Sequence, residues 1–391
     1  MNASADNVVS PAVAEVNSLV EKGLRSLDEF RKLNQEQIDY IVAKASIAAL
    51  DKHGVLAMHA VEETGRGVFE DKATKNLFAC ENVVRRLRDL KTVGVISEDD
   101  VTGITEIADP VGVVCGIVPT TNPTSTTIFK SLIALKTRNP IIFSFHPSAQ
   151  QCSAHAAQIV RDAAIAAGAP ENCIQWIEKP SMEGTSALMK HPGVATILAT
   201  GGNAMVEAAY SCGKPALGVG AGNVPAYVEK TANIQQAAHD IVMSKAFDNG
   251  MICASEQAVI ADKEIYKELV EEFKSYGVYF ANKKKKPCSK TSSSALRQTA
   301  PTAAARSSIP PLWANRRRGL PNRLGLKSLK NQHHHRRMPR SRPQRAADPR
   351  KTLARTGNAQ SGFHRTRFAV CRTNGRLRRL GTLRRHPYRR S

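Results

Sequence analysis

No cysteine in this chain belongs to a Cys-x-x-Cys pair, and no cysteine or histidine spacing matches a zinc site. The eight cysteines are Cys80, Cys115, Cys152, Cys173, Cys212, Cys253, Cys288 and Cys371. Their scatter excludes a zinc finger, and unpaired thiols point to a reducing, cytoplasmic setting. There is no run of 18 apolar residues, so no membrane span is expected. Met1–Ser10 has neither a basic nor an apolar region of the kind a secretory leader needs, so none is expected. The last scarcity is of acid. From Pro287 to Ser391 there is one acidic residue, Asp348, against 27 of the 56 lysines and arginines. The formal charge of +22 therefore divides into about −4 over residues 1–286 and about +26 over the last 105.

That basic tail is rich in Arg, Ser, Pro and Ala and shows no sustained period of 2 or 3.6. Such a composition does not bury a core, so 287–391 is expected to be disordered. Two origins are open. One is a basic arm, with Arg316–Arg318, Arg336–Arg337 and Arg384–Arg385 meeting the phosphates of a nucleic acid. No recognition motif accompanies them, so no specific nucleic acid partner is expected. The other is a shifted reading frame at Lys283–Lys286, a stretch of adenine-rich codons. With one choice of synonymous codons for Lys286–Ser294, the neighbouring frame reads Ala-Leu-Leu-Glu-Asn-Phe-Ile-Phe, which continues the helical pattern of 264–275. The second origin is preferred, and the coding DNA decides it. The triplet His333–His335 is incidental, and no metal site is expected.

Residues 9–91 read as helices. Val13, Val16, Leu19 and Val20 recur at helical spacing, as do Ile38, Ile41, Val42, Ala45 and Ile47. From Glu106 short β-branched runs alternate with amphipathic ones. Strands are expected at Val113–Val118, Pro140–Phe143, Cys173–Ile177, Val194–Ala199, Ala216–Val219, Ala226–Val228 and Gln257–Ala261. Helices are expected at 124–136 with Thr124 as N-cap, and at 150–167, 181–190, Gly202–Ser211 and Ile234–Phe247. This alternation argues an α/β fold with a parallel sheet, whose ligand sits at the carboxyl ends of the strands.

Five motifs could carry chemistry. In Phe247-Asp-Asn-Gly-Met-Ile-Cys-Ala-Ser-Glu-Gln257 a cysteine lies on a loop between a helix and a strand, where it could face a cleft as a nucleophile. A lone cysteine is more often a small buried hydrophobe, which suits Cys80, Cys115 and Cys152 better. In Ile117-Val-Pro-Thr-Thr-Asn-Pro123 a strand ends and a helix begins. Its N–H groups favour an anion, and the Asn122 amide could donate to an oxyanion, or the stretch is an ordinary turn. Gly201 and Gly202, in Ile197–Asn203, could let a pyrophosphate approach, although this is no G-x-G-x-x-G. Gly218-Val-Gly-Ala-Gly-Asn223 could cradle a ligand or simply turn. His146, before Pro147, could line an adenine pocket or be structural.

Taken in this order, the five motifs resemble the aldehyde dehydrogenase superfamily. More narrowly, they are similar to the N-terminal half of bifunctional aldehyde-alcohol dehydrogenases, in the wording GIVPTTNPTST, SLIALKTRNPIIFS, ILATGG, GKPALGVGAGNVP and FDNGMICASEQ. The resemblance covers about residues 1–286. It implies a Rossmann-type parallel sheet with flanking helices. The N-terminal helices and NAD-binding domain would occupy 1–252, the start of a truncated catalytic domain 253–286, and the disordered tail 287–391. It implies Cys253 as nucleophile and Asn122 as oxyanion donor. Ile117, Val118, Pro119, Thr120, Thr121, Asn122, Thr200, Gly201, Gly202 and Gly220 would line the NAD site, with His146 and Pro147 near adenine. Hydrolytic relatives carry a general-base Glu where this chain has Val219, and its loss suits release of the acyl group by a thiol, coenzyme A. The implied reaction interconverts acetyl-CoA and acetaldehyde, as in ethanol fermentation. The family self-assembles, and its catalytic domain runs well beyond its cysteine. Here the match stops soon after Cys253, and the iron-binding alcohol dehydrogenase domain has no counterpart. The implied turnover of this chain is therefore low.

Overall fold

A computed structural model describes residues 10–281, and the backbone of two further strands at 364–373 and 376–383. Contacts divide the chain into a unit of 1–281 with 363–391 and a unit of 282–362. The second unit lies outside the described residues, as do Arg316–Arg318, Arg336–Arg337, Arg384–Arg385 and His333–His335.

The first stretch is helical, as the periodicity predicts: α1 (Pro11–Phe30), α2 (Gln35–Asp51), α3 (His53–Thr64) and α4 (Phe69–Arg88). The Ser10 hydroxyl accepts from the Val13 N–H, and Pro11 starts α1. Asn34 and Gln37 form a reciprocal capping box on α2. Helix α4 has Glu70 and Asp71 in its first turn and Arg85, Arg86 and Arg88 in its last, matching the helix dipole. The sequence reading passes over an exposed antiparallel hairpin that follows, β1 (Gly94–Asp99) and β2 (Ile104–Ala108). The buried Arg138 guanidinium holds its base by donating to the Ala108 carbonyl at 3.0 Å.

The alternating region then runs β3 (Val113–Val118), α5 (Pro123–Lys136), β4 (Ile141–Phe145), α6 (Gln150–Ala166), β5 (Ile174–Trp176), α7 (Met182–Lys190), β6 (Val194–Thr200), α8 (Asn203–Tyr210) and β7 (Ala216–Val219). The five strands form one parallel sheet in the order β5-β4-β3-β6-β7. Every residue of β3 and β4 is buried, because helices cover both faces. Phe30, Ile41, Ile128, Leu132 and Phe143 pack on one side, and Val16, Val20, Leu188 and Ile197 on the other.

The second sheet starts with β8 (Val224–Val228), followed by α9 (Ile234–Ala246), β9 (Glu256–Ala261), α10 (Tyr266–Ser275) and β10 (Val278–Ala281). Strand β8 pairs with β9 and not with β7, so the chain leaves the first sheet ahead of the boundary placed before Cys253. Strands β11 (His364–Thr373) and β12 (Arg376–Leu383) complete this sheet in the order β10-β12-β11-β9-β8. The edge of β9 offers unpaired backbone groups, and β11 joins it antiparallel, a pairing that backbone hydrogen bonds alone can make. The rest of 287–391 lies outside the described residues. No described helix is long and apolar enough to cross a membrane.

Candidate active site

The carboxyl ends of β3, β4, β6 and β7 open on a cleft of about 790 Å³. Ligands collect at this edge of a parallel sheet. Every residue that the sequence reading assigned to catalysis or to the dinucleotide lines it: Ile117 through Asn122, His146 and Pro147, Thr200 through Gly202, Gly220, and Cys253. Residues over 130 positions apart thus meet at one surface.

Cys253 is exposed, while Cys80, Cys115, Cys152 and Cys173 are buried. Burial pushes the thiols of Cys80, Cys115 and Cys173 up to about 12 and raises that of Cys152, so none of these is a ready thiolate. The cysteine segment is set by two successive left-handed residues, Asp248 (φ 49°) and Asn249 (φ 54°). Asp and Asn are the residue types that accept this conformation most readily after glycine. On its other side the segment lies against Gly222, where a Cβ would stand 1.9 Å from the Cys253 carbonyl oxygen. That position admits no side chain while Cys253 stays in place.

Beneath the cleft lies a charged cluster that the sequence reading missed. Asp248 is fully buried. Its Oδ2 accepts from the Lys75 Nζ at 2.5 Å and the Lys72 Nζ at 3.1 Å, and its Oδ1 from the Val68 N–H at 2.7 Å. Lys72 also donates to the Thr121 carbonyl at 3.0 Å. Lys75 also donates to Asn122 Oδ1 at 2.6 Å and the Met251 carbonyl at 2.9 Å. Burial lowers the Lys75 pKa, and its hydrogen bond to Asp248 opposes that. One signal was available: Lys72 and Lys75 share the helical phase of Asn76, Ala79 and Cys80, the buried face of α4.

This cluster corrects the expected cap of α5. The residue at the cap is Asn122, ahead of Pro123, and its side chain makes no cap hydrogen bond because Lys75 holds the amide oxygen. The Thr124 hydroxyl instead donates to Asn76 Oδ1 at 2.8 Å, inside the core.

The glycine motifs separate into two roles. Gly218 lets α8 approach the sheet, since a Cβ there would meet Val206 and Tyr210 side-chain atoms at 2.6 and 2.7 Å. At Gly220 a Cβ would stand 2.8 Å from Asn203 Oδ1, while at Gly202 it would meet nothing within 4 Å. Gly202 caps α8 without a side-chain hydrogen bond, leaving the helix N–H groups to face a ligand. The buried Thr120 hydroxyl, also in the cleft wall, has no partner. An open backbone, a bare helix start and an orphaned hydroxyl fit the phosphates and ribose of a dinucleotide. His146 serves locally as well: its Nδ1 accepts from the Ser148 N–H at 3.1 Å, capping the turn at Pro147.

Behind the wall, the buried Lys130 Nζ donates to the Ile117 and Leu198 carbonyls, both at 2.7 Å, tying the ends of β3 and β6. Burial pushes its ammonium down to about 7 from the usual 10.5. Between these values the unfolded chain binds a proton that the folded chain does not, so this group's contribution to stability rises with pH from about 7 to 10.5. Relative to Lys130→Met, the wild type should gain up to ~1.4 kcal/mol per pH unit across that window. Thermal melts of both proteins at about pH 6.5 and about pH 9.5 check this, and an unchanged Tm difference would refute it.

Comparison with known proteins agrees with this geometry. The profile of the aldehyde dehydrogenase family matches residues 5–280. An aldehyde-alcohol dehydrogenase of Streptococcus pneumoniae serotype 4 is 80% identical over 275 residues, which are 70% of this chain and 31% of that protein. The chain therefore spans about a third of that relative's length. An acetylating aldehyde dehydrogenase structure from Geobacillus thermoglucosidasius superposes with a TM-score of 0.67 at 50% identity, covering 70% of this chain and 60% of the other. A Rhodopseudomonas palustris propionaldehyde dehydrogenase, solved with bound CoA and an acylated cysteine, superposes with a TM-score of 0.62 at 35% identity, covering 73% and 64%. With its cleft at the end of a parallel sheet and its match over most of the chain, this protein belongs to the aldehyde dehydrogenase family.

Proposed function

We propose that this chain carries the CoA-acylating aldehyde dehydrogenase site, in which Cys253 exchanges an acetyl group with coenzyme A. The observation that carries this reading is one exposed thiol, Cys253, sharing a cleft with the Asn122 amide and with the open backbone at Gly202. The Cys253 thiolate attacks the thioester carbonyl of acetyl-CoA, a C–S bond forms, and the CoA thiolate leaves. An N–H of Asn122 meets the oxyanion of the tetrahedral species. Thr120, Gly201, Gly202 and the start of α8 would hold NAD, which when bound would supply or accept the hydride linking the acyl level to acetaldehyde. The overall reaction is acetaldehyde, NAD and CoA giving acetyl-CoA, NADH and a proton.

Two further observations support the reading. Among the described residues lining the cleft none is Asp or Glu, and the family resemblance places Val219 where hydrolytic relatives carry their base. Without a carboxylate at that position to activate water, an acyl-cysteine persists longer and is removed by a thiol. The R. palustris relative was solved with both CoA and an acylated cysteine. The test is incubation of the full chain with acetyl-CoA, followed by peptide mass mapping. One acetyl group should appear on Cys253, should be absent from Cys253→Ser, and should leave when free CoA is added. Equal labelling of the Cys253→Ser protein, or none of the wild type, would sink the proposal. For the last 105 residues, sequencing the codons of Lys283–Lys286 tests the shifted frame.

A further inference from the structure

We propose that Lys75 is a positioning residue for acyl transfer: its ammonium holds the Asn122 carbonyl oxygen and the Met251 carbonyl together, so that the Asn122 N–H groups face the carbonyl attacked by Cys253. The inference rests on the reading of Cys253 and Asn122 given above and adds a residue to it.

A primary amide presents an oxygen on one side and two N–H donors on the other. Nothing about Asn122 by itself says which side faces the cleft, and as a helix cap it would ordinarily turn its oxygen toward the N–H groups of α5. Lys75 decides the matter, because an ammonium is a donor with no acceptor capacity. At 2.6 Å from the amide it requires Oδ1 on its own side. The amide nitrogen then lies on the other side, where it donates to the Thr121 hydroxyl at 3.1 Å and keeps a second N–H for a ligand. An oxyanion needs that donor.

The same ammonium reaches the nucleophile's segment. Its three protons have three acceptors: Asn122 Oδ1, Asp248 Oδ2 and the Met251 carbonyl, two residues before Cys253. These acceptors come from the start of α5 and from the turn that carries the cysteine, while Lys75 itself stands on α4. One side chain thus sets the oxyanion donor and the nucleophile's backbone against each other. Asp248 and Lys72 complete the cluster, and the Phe247 ring lies 5.6 Å from the Lys75 ammonium.

The test compares two reactions of Cys253 in the full chain. With p-nitrophenyl acetate the thiolate attacks the ester carbonyl, a C–S bond forms and p-nitrophenolate leaves, by way of an oxyanion. With iodoacetamide the thiolate displaces iodide, and no oxyanion forms. Loss of the positioning contact in Lys75→Met should slow acetylation about 10- to 100-fold, somewhat less than deleting an oxyanion donor outright. Alkylation should change by less than about threefold, since it needs no oxyanion donor. Lys75→Gln keeps a donor toward Asn122 and should retain more of the acetylation rate. In an Asn122→Ala background, Lys75→Met should cost nothing further, the signature of two residues acting through one contact. Equal losses in acetylation and alkylation for both Lys75 variants would mean a merely structural role and would overturn the inference, as would full additivity with Asn122→Ala. Failure of wild-type Cys253 to react with the ester would overturn the reading of the site itself, and the inference with it.

Discussion

Gly222→Ala should abolish most of the acylation of Cys253 while leaving the fold intact. The added Cβ would stand 1.9 Å from the Cys253 carbonyl oxygen and 3.0 Å from its carbonyl carbon. Neither is the mobile end of a side chain, so backbone must move. Gly222 does not have a positive φ, so alanine meets no intrinsic strain there and the effect is purely the collision. The opposing segment is fixed from behind by the Asp248 and Met251 contacts to Lys75, so it yields by displacing the cysteine from the Asn122 amide. A shift of ~1 Å between reacting groups costs ~10²-fold in rate. The rate of acetyl transfer to Cys253, measured by mass mapping, should fall by about that factor with the Tm changed by only a few degrees. A rate within about threefold of wild type would show that the loop of Gly222 relaxes freely and that its contact with Cys253 has no role in catalysis.

The parts of this molecule that the sequence announces are those set by local pattern. Val113–Val118 is an unbroken apolar run, and it is a central strand with every residue buried. The turn Phe247–Cys253 advertises itself by Asp-Asn-Gly before a cysteine, and it is a strained turn holding that cysteine in the open. What stays hidden depends on partners distant in sequence. Lys75 and Asp248 lie 173 positions apart, and nothing near either predicts an ion pair. The mistaken cap at Thr124 has the same origin, because a lysine from another helix takes the oxygen that Asn122 would otherwise use. The glycines of Gly218–Gly222 look alike in sequence. Only their neighbours separate Gly218, which admits a helix, from Gly222, which admits the cysteine backbone. The pairing of β11 with β9 is likewise invisible, since it joins backbones across a stretch with no patterned side chains.

Asp248→Asn should lower the stability of the whole unit more than any surface change. Asparagine keeps the size of the side chain and tolerates the left-handed backbone at φ 49°, so the substitution removes the charge and turns one acceptor oxygen into a donor. It leaves the Lys72 and Lys75 ammoniums, both buried, without their counter-ion. Breaking a buried pair by removing one partner costs ~3–5 kcal/mol, because the remaining charge stays desolvated. For a unit of this size that corresponds to a fall in Tm of roughly 6–20 °C. The deficit should also depend on pH in a defined direction. Burial already lowers the Lys75 pKa, and the hydrogen bond to Asp248 is the largest influence holding it up. Without that bond the Lys75 pKa falls further in the folded variant, whereas the unfolded chain keeps its proton up to the usual 10.5. Stability of the variant should therefore recover as pH rises toward that value, and its Tm should approach that of the wild type. Paired melts from neutral to alkaline pH decide the matter. A deficit of only a few degrees, or one that widens with pH, would mean that the cluster does not hold the cysteine segment to α4 through charge.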